Sequence, residues 1–368
     1  MKVLHFYKTY QPETFGGVET FIASLAEGMR PFGVDSEVLY LSKRGDSRNN
    51  TFLQHKTHTS GIALDFASTS MSYSVIDDFR EILSKVDLVH YHFPWPMMDL
   101  AHFAVKHGKP SVVSYHSDIV KQKLLMKFYK PIMFRFLRSV DSIVASSTNY
   151  AESSDVLVKF KNKLEIIPYG IEDFSNAIDF DSVDKWRERC GEGFFLFVGK
   201  LRYYKGLSYL LEAAKITGLP VVIAGAGGGD ELKLKAKAQA MGLNNLKFVG
   251  LVSQSDKIAL FHLCRAFVLP SHLRSESFGV SLLEAAVASK PMICCEIGTG
   301  TTFVNIHNET GLSVPPNDPV ALANAMHALN DPGVASQLGL AARQRYEALF
   351  TMGKMSESYL NLYRKLLK

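Results

Sequence analysis

Short apolar runs alternate with helical patterns along the whole chain. The runs, rich in Val, Ile, Phe and Tyr, lie at 3–7, 38–41, 88–92, 111–116, 142–146 and 164–168 in the first half, and at 194–199, 221–224, 247–249, 266–270, 292–295 and 312–314 in the second. Strands that are apolar on both faces and alternate with helices indicate parallel sheets covered on both sides. The pattern therefore predicts two doubly wound α/β domains.

The domain boundary is predicted in an acidic stretch without strand character, between Gly170 and Gly191. We expect one Rossmann-like domain over 1–172 and a second over 173–350. An amphipathic helix within 351–368 could cross back to the first domain. Ligands of open parallel sheets bind at the carboxyl ends of the strands, so two such edges facing each other would form one cleft.

Glycines and cations follow two of the predicted strands. Gly16 and Gly17 stand between the first run and a helix, where backbone N–H groups and the helix dipole favour an anion. Lys200, Arg202 and Lys205 follow the run 194–199 and precede a helix. Cations in that position are suited to neutralise a diphosphate, although a plain turn and a solvated surface are the alternatives.

The segment 275–285 carries two glutamates, Glu276 and Glu284. A helix starting near Gly279 would direct its N-terminal amides and positive dipole end at the ligand. Glu276 would lie in the loop beside that end. Glu284 would lie inside the helix among apolar neighbours, where a buried carboxylate requires a hydrogen-bond donor, and ribose hydroxyls are such donors.

Two further features are ambiguous. His116 closes an apolar strand, and this position favours a catalytic role over a structural one. Asp179 and Asp181 have the spacing of a metal-binding acidic pair, but no strand precedes them. We interpret them as solvated linker charge and expect no metal site, since no other cluster has convincing ligand spacing.

The segment 121–138 combines cations with large apolar side chains and contains no acid. This pattern favours a helix, kinked at Pro131, that lies on an anionic membrane surface. A core-packed helix with a basic outer face is the alternative. The side chains expected to face the membrane are Lys121, Lys123, Lys127, Lys130 and Arg135.

Composition narrows the setting. The net charge of +5 is mild, and we expect no nucleic-acid partner. The four cysteines form no CxxC pair, and we interpret them as reduced core residues of a cytosolic protein. The N-terminus has strand character rather than that of a signal peptide, and no apolar run approaches the ~20 residues of a membrane span. We expect a cytoplasmic protein that meets a membrane only at its surface.

Together these motifs resemble the retaining glycosyltransferases of the GT-B fold, family four, over nearly the whole chain. The glutamate segment is the most specific part of the resemblance. The segments 3–10, 91–96 and 295–301 are more narrowly similar to bacterial mannosyl- and rhamnosyltransferases. Those enzymes build lipopolysaccharide O-chains on a lipid-linked carrier. The resemblance therefore implies peripheral association with the anionic cytoplasmic face of the inner membrane.

The resemblance implies roles for the residues on the nucleotide side. Gly17, beside Gly16, would contact the donor phosphates through its backbone. Lys200 and Lys205 would hold the diphosphate and stabilise the departing nucleotide, although the family often has arginine where Lys200 stands, which puts its role in doubt. Glu284 would bind the ribose.

The resemblance also implies the residues near the sugar and the base. His116 would face the transferred sugar, and Glu276 would bind its hydroxyls, with the amides of Phe278 and Gly279 nearby. We assign catalysis to His116, Lys205 and Glu276. The loop around Val252 and the one at 225–228 are the candidates for the base contact.

The implied reaction moves mannose or its 6-deoxy relative rhamnose, with retention, from a GDP-sugar to a lipid-linked saccharide in O-antigen synthesis, without a metal or other cofactor. A UDP-sugar-dependent enzyme of the same fold is the first alternative. A glycogen-synthase-like or phosphorylase-like enzyme, or a sugar-nucleotide epimerase, is the next. The non-enzymatic alternative is a nucleotide- or glycan-binding module that has lost activity.

Overall fold

The computed structural model describes residues 1–43, 48–66, 69–119 and 123–368. The chain packs into two compact units. The first comprises Met1–Ile171 together with Met352–Lys368, and the second comprises Glu172–Thr351. The division falls one residue from the expected boundary at 172/173, and the last helix is part of the first unit.

The first unit is built on an eight-stranded sheet with the order β10-β9-β8-β7-β1-β2-β4-β3, in which β3 alone runs antiparallel to its neighbour. A separate two-stranded sheet pairs β5 with β6. The elements are β1 (Lys2–Phe6), α1 (Gly17–Met29), β2 (Asp35–Ser42), β3 (Arg48–Phe52), β4 (His55–Gly61), β5 (Leu64–Phe66), β6 (Thr69–Met71), α2 (Val75–Leu83), β7 (Leu88–Phe93), α3 (Pro96–Val105), β8 (Ser111–Tyr115), α4 (Lys123–Ser139), β9 (Ser142–Ala145), α5 (Thr148–Ser153) and β10 (Leu164–Ile166).

All six apolar runs of the first half form strands of this sheet, but the count of six was too low. β3 and β4 extend the sheet at one edge, and β5 and β6 pair antiparallel in a sheet of their own. Their sequences, such as HKTHTSG in β4, are polar. Apolar runs identify strands that are covered on both faces, and polar edge strands escape that test.

Alternation along β1 divides the first unit into two layers. Leu4 and Phe6 belong to an apolar core that includes Trp95 and Phe136 from the α3 and α4 regions. His5, which lies between them in sequence, is fully buried on the opposite face.

The second unit contains a six-stranded, all-parallel sheet with the order β13-β12-β11-β14-β15-β16. Each strand coincides with one of the six predicted runs. The elements are α6 (Phe180–Cys190), β11 (Phe195–Val198), α7 (Leu207–Thr217), β12 (Val221–Ala224), α8 (Glu231–Ala240), β13 (Leu246–Gly250), α9 (Gln254–Leu263), β14 (Ala266–Leu269), α10 (Val280–Val287), β15 (Met292–Cys295), α11 (Thr301–Val304), β16 (Gly311–Val314), α12 (Pro319–Leu329) and α13 (Pro332–Leu349).

Asp179 and Asp181 are exposed, as expected of solvated charge, but they lie at the start of a helix rather than in a linker. Asp179 is the N-cap of α6, and its carboxylate accepts hydrogen bonds from the Asp181 amide at 3.3 Å and the Ser182 hydroxyl at 2.6 Å. A side-chain oxygen at this position satisfies amides that the first turn leaves unpaired. The acidic pair therefore starts a helix.

The last helix, α14 (Met352–Leu366), packs against α1 on the His5 side of the first sheet. It lies within the segment 351–368, where the sequence predicted an amphipathic helix. Its inner face includes the fully buried rings of Tyr359 and Tyr363.

In each sheet the strand order reverses once, between β1 and β7 in the first unit and between β11 and β14 in the second. In open α/β sheets, the crevice outside the carboxyl ends of the strands at such a switch point is where ligands bind. The sheet order therefore directs attention to the segments that follow these four strands.

No helix in the described ranges is long and apolar enough to cross a bilayer. The four cysteines are unpaired; Cys264, Cys294 and Cys295 are buried, as expected of core residues, whereas Cys190 at the end of α6 is half-buried.

Candidate functional site

Three strands of the first unit bring four histidines together on one face of the sheet. His90 and His92 are two residues apart in β7, so they share a face, and His5 of β1 is in register with His90. His116 directly follows β8. The ring centroids of His90 and His92 lie 4.4 Å apart.

Three of these histidines and one tyrosine form a continuous hydrogen-bonded series, which we call the histidine chain: Tyr169, His116, His92 and His5. The Tyr169 hydroxyl bonds to Nδ1 of His116. Nε2 of His116 lies 2.9 Å from Nδ1 of His92, and Nε2 of His92 lies 3.1 Å from Nδ1 of His5. The chain ends at Nε2 of His5, which is buried and has no partner among the described residues.

The fourth histidine connects this face to the last helix. Nδ1 of His90 lies 2.7 Å from the Tyr363 hydroxyl, and its Nε2 lies 2.7 Å from the Ser114 hydroxyl. Ser114 in turn lies 2.7 Å from the hydroxyl of Tyr359. The histidine cluster is thus held from above by α14.

Burial keeps these imidazoles uncharged. It lowers the pKa of His116 to about 3 and, with a smaller contribution from His55, that of His5 to about 3. The pKa values of His90 and His92 are lowered well below their ordinary value, first by burial and then by neighbouring histidines. A charged imidazole here would lose its hydration without gaining a carboxylate partner.

His116 was predicted to be catalytic because it ends a strand. The structure places it at that edge, but only 3% of its surface is exposed and both ring nitrogens already have partners. Its role stays a prediction, with a condition attached. A sugar hydroxyl can reach a ring nitrogen only by replacing Tyr169 or His92.

Gly16 and Gly17 lie between β1 and α1, where the sequence predicted a phosphate contact. Gly16 precedes the helix with extended backbone, and Gly17 is the first helical residue. A methyl group added at Gly16 would meet the Glu19 carboxylate at 2.6 Å, whereas one added at Gly17 would meet nothing within 4 Å. Gly17 therefore has open space beside it.

In the second unit, segments after β11 and β14 converge on a charged pair. Nζ of Lys205 donates to Oε2 of Glu276 at 2.5 Å, and the Ser271 hydroxyl donates to the same oxygen at 3.0 Å. We call these three residues the lysine–glutamate site. Both side chains of the ion pair are about nine-tenths buried. In the part of the chain that the structure describes, Oε1 of Glu276 has no hydrogen-bond partner.

The ion pair keeps Lys205 charged. Burial alone would lower the pKa of the ammonium group, but the charge of Glu276, its hydrogen bond and Tyr204 outweigh burial and raise that pKa. Gly206 follows with φ +68°, and a methyl group there would lie 1.9 Å from the Pro270 carbonyl oxygen. Only glycine allows the lysine segment to approach the end of β14 this closely.

Helix α10 begins beside this pair. Gly279 is its N-cap in a left-handed conformation, and Phe278 before it is buried. Glu284 lies inside α10, as predicted, but it is half-buried and its donor is Lys257 of α9, with Nζ–Oε1 at 2.5 Å. Lys257 therefore supplies a donor that the sequence did not identify, and the ribose contact of Glu284 stays a prediction.

The remaining predicted nucleotide residues lie on loops. Lys200 is exposed and has no partner among the described residues. Val252 is half-buried between β13 and α9, next to Ser253, which forms a capping box with Asp256. Ser271, Lys257, His92 and His5 were not singled out from the sequence. The spacing of His90 and His92 on one strand was the available signal for the histidines.

The predicted membrane-facing residues have mixed status. Lys121 lies outside the described residues, and of Lys123 only the backbone is described. Lys127, Lys130 and Arg135 are exposed on α4.

Three histidines of the first unit have ring nitrogens close enough together to bind one metal ion. Among the described residues, one group of three has ligand atoms within 4.8 Å of one another, namely His5, His90 and His92. Both ring nitrogens of His90 are already bonded to hydroxyls, so the hydrogen bonds account for this cluster.

A pair of Rossmann-like units with polar residues at their switch points is the architecture of GT-B glycosyltransferases, and the comparisons agree. The model described as Glycosyltransferase Family 4 matches residues 15–173, and that described as Glycosyl transferases group 1 matches 178–345. A sucrose-phosphate synthase from Thermosynechococcus elongatus has the same fold, with a TM-score of 0.83 at 20% identity over 99% of this chain and 98% of that one.

Two relatives are similar over nearly their whole length. The D-rhamnosyltransferase WbpZ of Pseudomonas aeruginosa is 50% identical over 95% of this chain and 92% of its own. The O-antigen chain mannosyltransferase C of Escherichia coli is 45% identical over 100% and 99%. The chain therefore belongs to the family 4 glycosyltransferases, which confirms the fold and family that the motifs predicted.

Proposed function

We propose that the protein transfers mannose or rhamnose from a GDP-sugar to a lipid-linked saccharide in O-antigen synthesis. The observation that carries the proposal is the lysine–glutamate site at the end of β14, in a chain about half identical to a D-rhamnosyltransferase and nearly so to a mannosyltransferase. An ammonium group and a carboxylate held together at a switch point can serve the phosphate and the sugar of one donor.

The second unit would hold the nucleotide. When the bond between the sugar and the diphosphate breaks, negative charge collects on the leaving group, and Lys205 and the exposed Lys200 are cations that can stabilise it. The N-terminus of α10 adds its dipole. Glu284 remains available to ribose hydroxyls through Oε2, since Lys257 bonds to Oε1.

The sugar would be held by carboxylate and imidazole groups. Oε1 of Glu276 is an acceptor without a partner in the described chain, so it can bind a sugar hydroxyl while Oε2 keeps Lys205 and Ser271. His116 would meet the transferred sugar after exchange of its Tyr169 partner. Retention of configuration is what family membership leads us to expect.

Donor titration tests this proposal. GDP and UDP are titrated against the full chain, and GDP-mannose, GDP-rhamnose and UDP-glucose are then assayed with a lipid-linked acceptor. We expect GDP to bind more tightly by one or two decades, because an unpaired buried guanine edge costs about 1–3 kcal/mol. Tighter binding of UDP, with turnover of UDP-glucose alone, would favour the UDP-sugar alternative.

The lipid-linked acceptor also requires a membrane-facing surface, and α4 offers one. Lys127, Lys130 and Arg135 are exposed, and the Phe128 side chain beside them is 77% exposed. The opposite side of α4, including Phe136, packs into the core. One helix thus combines the core-packed and the membrane-facing interpretations, with basic groups and an aromatic ring directed outward.

Vesicle flotation tests the α4 surface. Reversing Lys123, Lys127 and Lys130 to glutamate should weaken binding to vesicles of anionic lipid about 100-fold or more, because each cation is worth about 1 kcal/mol there. Reversing Lys215, Lys233 and Lys235 of the second unit changes the net charge equally and serves as the control. Equal flotation of both variants would contradict the role of α4.

Transfer is expected to survive EDTA, because the predicted acidic pair caps a helix and cations are available for the leaving group. Loss of turnover on chelation, restored by Mg²⁺ or Mn²⁺, would overturn this expectation.

A further inference from the structure

The histidine chain has a direction that the structure allows us to assign. A neutral imidazole carries one N–H donor and one acceptor nitrogen, so each ring in the chain must donate to one neighbour and accept from the other. The two His–His contacts, at 2.9 Å and 3.1 Å, therefore share one polarity. The hydrogen-bond donors of the histidine chain therefore all point either towards His5 or towards Tyr169.

The buried end of the chain distinguishes these two arrangements. Nε2 of His5 is buried and has no partner in the described chain. If the donors pointed towards His5, this nitrogen would carry an unpaired N–H group. If they pointed towards Tyr169, it would be an unprotonated acceptor. Orphaned buried N–H groups are the rarer and less favourable of the two, so the second arrangement is preferred.

We propose that His92, fixed in turn by His5, is a positioning residue that holds His116 in the tautomer with its proton on Nδ1. His5 donates through Nδ1 to His92, and His92 donates through Nδ1 to Nε2 of His116. His116 then directs its own N–H at the Tyr169 oxygen. This inference rests on the proposed contact of His116 with the transferred sugar and specifies its chemistry.

The tautomer decides what His116 can do. A ligand atom that replaces the Tyr169 hydroxyl meets an N–H group, so His116 offers a hydrogen bond to a sugar oxygen. In this state Nδ1 cannot accept the proton of an attacking hydroxyl, and Nε2 is occupied by His92. His116 is therefore a hydrogen-bond donor to the transferred sugar rather than the base that activates the acceptor.

Nitrogen NMR of the full chain, labelled with ¹⁵N-histidine, measures the tautomer in the unmodified protein. Long-range ¹H–¹⁵N correlations report which ring nitrogen carries the proton, and the absence of the His116 signals in His116→Ala assigns them. We expect protonated Nδ1 and bare Nε2 in His116. A proton on Nε2 of His116 would overturn the inference.

Two variants of His92 test its positioning role. His92→Phe keeps a ring but removes the donor, whereas the amide of His92→Asn can place an N–H where Nδ1–H stood. We expect His92→Phe to shift the His116 tautomer and lower kcat at least about 10-fold with little change in GDP affinity, because the N–H that faces the sugar is lost. His92→Asn should restore the Nδ1–H tautomer and most of the turnover.

The outcomes separate this inference from the proposed function. Unchanged tautomer and turnover in His92→Phe would remove the positioning role of His92. Full turnover of His116→Ala would instead remove the proposed role of His116, while the tautomer measured in the unmodified chain would still stand. If His92→Phe fails to fold, His5→Phe tests the same chain one position further from His116, with the same expected direction of change.

Discussion

The two units place polar residues at equivalent switch points of their sheets but give them opposite electrostatic character. In the first unit, buried histidines are neutral and bond to one another and to hydroxyls. In the second, Lys205 and Glu276 are kept as a charged pair that is nearly as buried. Burial alone therefore does not decide the charge state. A carboxylate partner does.

This difference fits the two parts of a nucleotide sugar. A diphosphate is negatively charged and needs fixed cations. A buried ion pair keeps its lysine charged, so that the ammonium group is available to the diphosphate. A hexose is neutral and polar, and hydrogen bonds from neutral imidazoles can orient it without a net charge. This contrast supports the proposal that the second unit binds the nucleotide.

Removal of His116 from the first unit is expected to have the largest effect on turnover. His116→Ala should lower turnover by about 10²–10³-fold, the loss expected when one positioned hydrogen-bond donor is removed, while GDP affinity changes by no more than a few-fold. Turnover and GDP binding are measured on the same preparation. His327→Ala, an exposed histidine of the second unit, is the control. Retained turnover in His116→Ala would remove this residue from the mechanism.

The neutrality of the histidine chain can be tested through pH. The ordinary histidine pKa is 6.5, and the native pKa of His5 and His116 is about 3. The unfolded chain therefore binds more protons between these values, and stability falls as pH drops below 6.5. Each such histidine costs roughly 1.4 kcal/mol per pH unit, so the two together cost roughly 4 kcal/mol at pH 5.

Urea unfolding at pH 7 and pH 5 measures this loss. His5→Phe should make the pH dependence of the free energy of unfolding shallower. If the free energy of unfolding were equal at the two pH values, the conclusion that the histidine chain stays neutral in the native protein at pH 5 would be contradicted.

Removal of Lys205, the cation of the charged pair, tests whether the second unit binds the diphosphate. Lys205→Ala should weaken GDP binding about 10- to 100-fold, because a charge-assisted contact to phosphate is worth about 1.5–3 kcal/mol. Lys237→Ala removes a more exposed partner of Glu212 and serves as the matched control. Isothermal titration with GDP compares the two. Equal affinities would place the diphosphate away from Lys205.

Much of the fold was readable from the sequence because both sheets are buried on two faces. The site was less readable. Lys205, Glu276 and Glu284 were identified from motifs, but their partners Ser271 and Lys257 were not, because a partner is defined by packing rather than by spacing. The same holds for His5, which reaches His92 across a parallel sheet pairing and 87 residues of sequence.

A substitution at Gly17, between β1 and α1 of the first unit, is expected to have the smallest effect on GDP affinity. Gly17→Ala adds a methyl group that meets nothing within 4 Å, so folding should be unaffected. If donor phosphate approaches this backbone, GDP affinity should fall by less than about 10-fold, on the order of 1 kcal/mol. Gly353→Ala, also at a helix start with open space, is the control. Equal GDP affinities would place the phosphates elsewhere.

The division of labour between the units is tested most directly by amide hydrogen exchange of the full chain with and without GDP. The account predicts that GDP slows exchange in the segments 199–206 and 271–284 of the second unit. Exchange in β7 and β8, which carry the histidine chain, should stay as it is in the free protein. Protection confined to the first unit, with none around Lys205 and Glu276, would contradict the assignment of the nucleotide to the second unit.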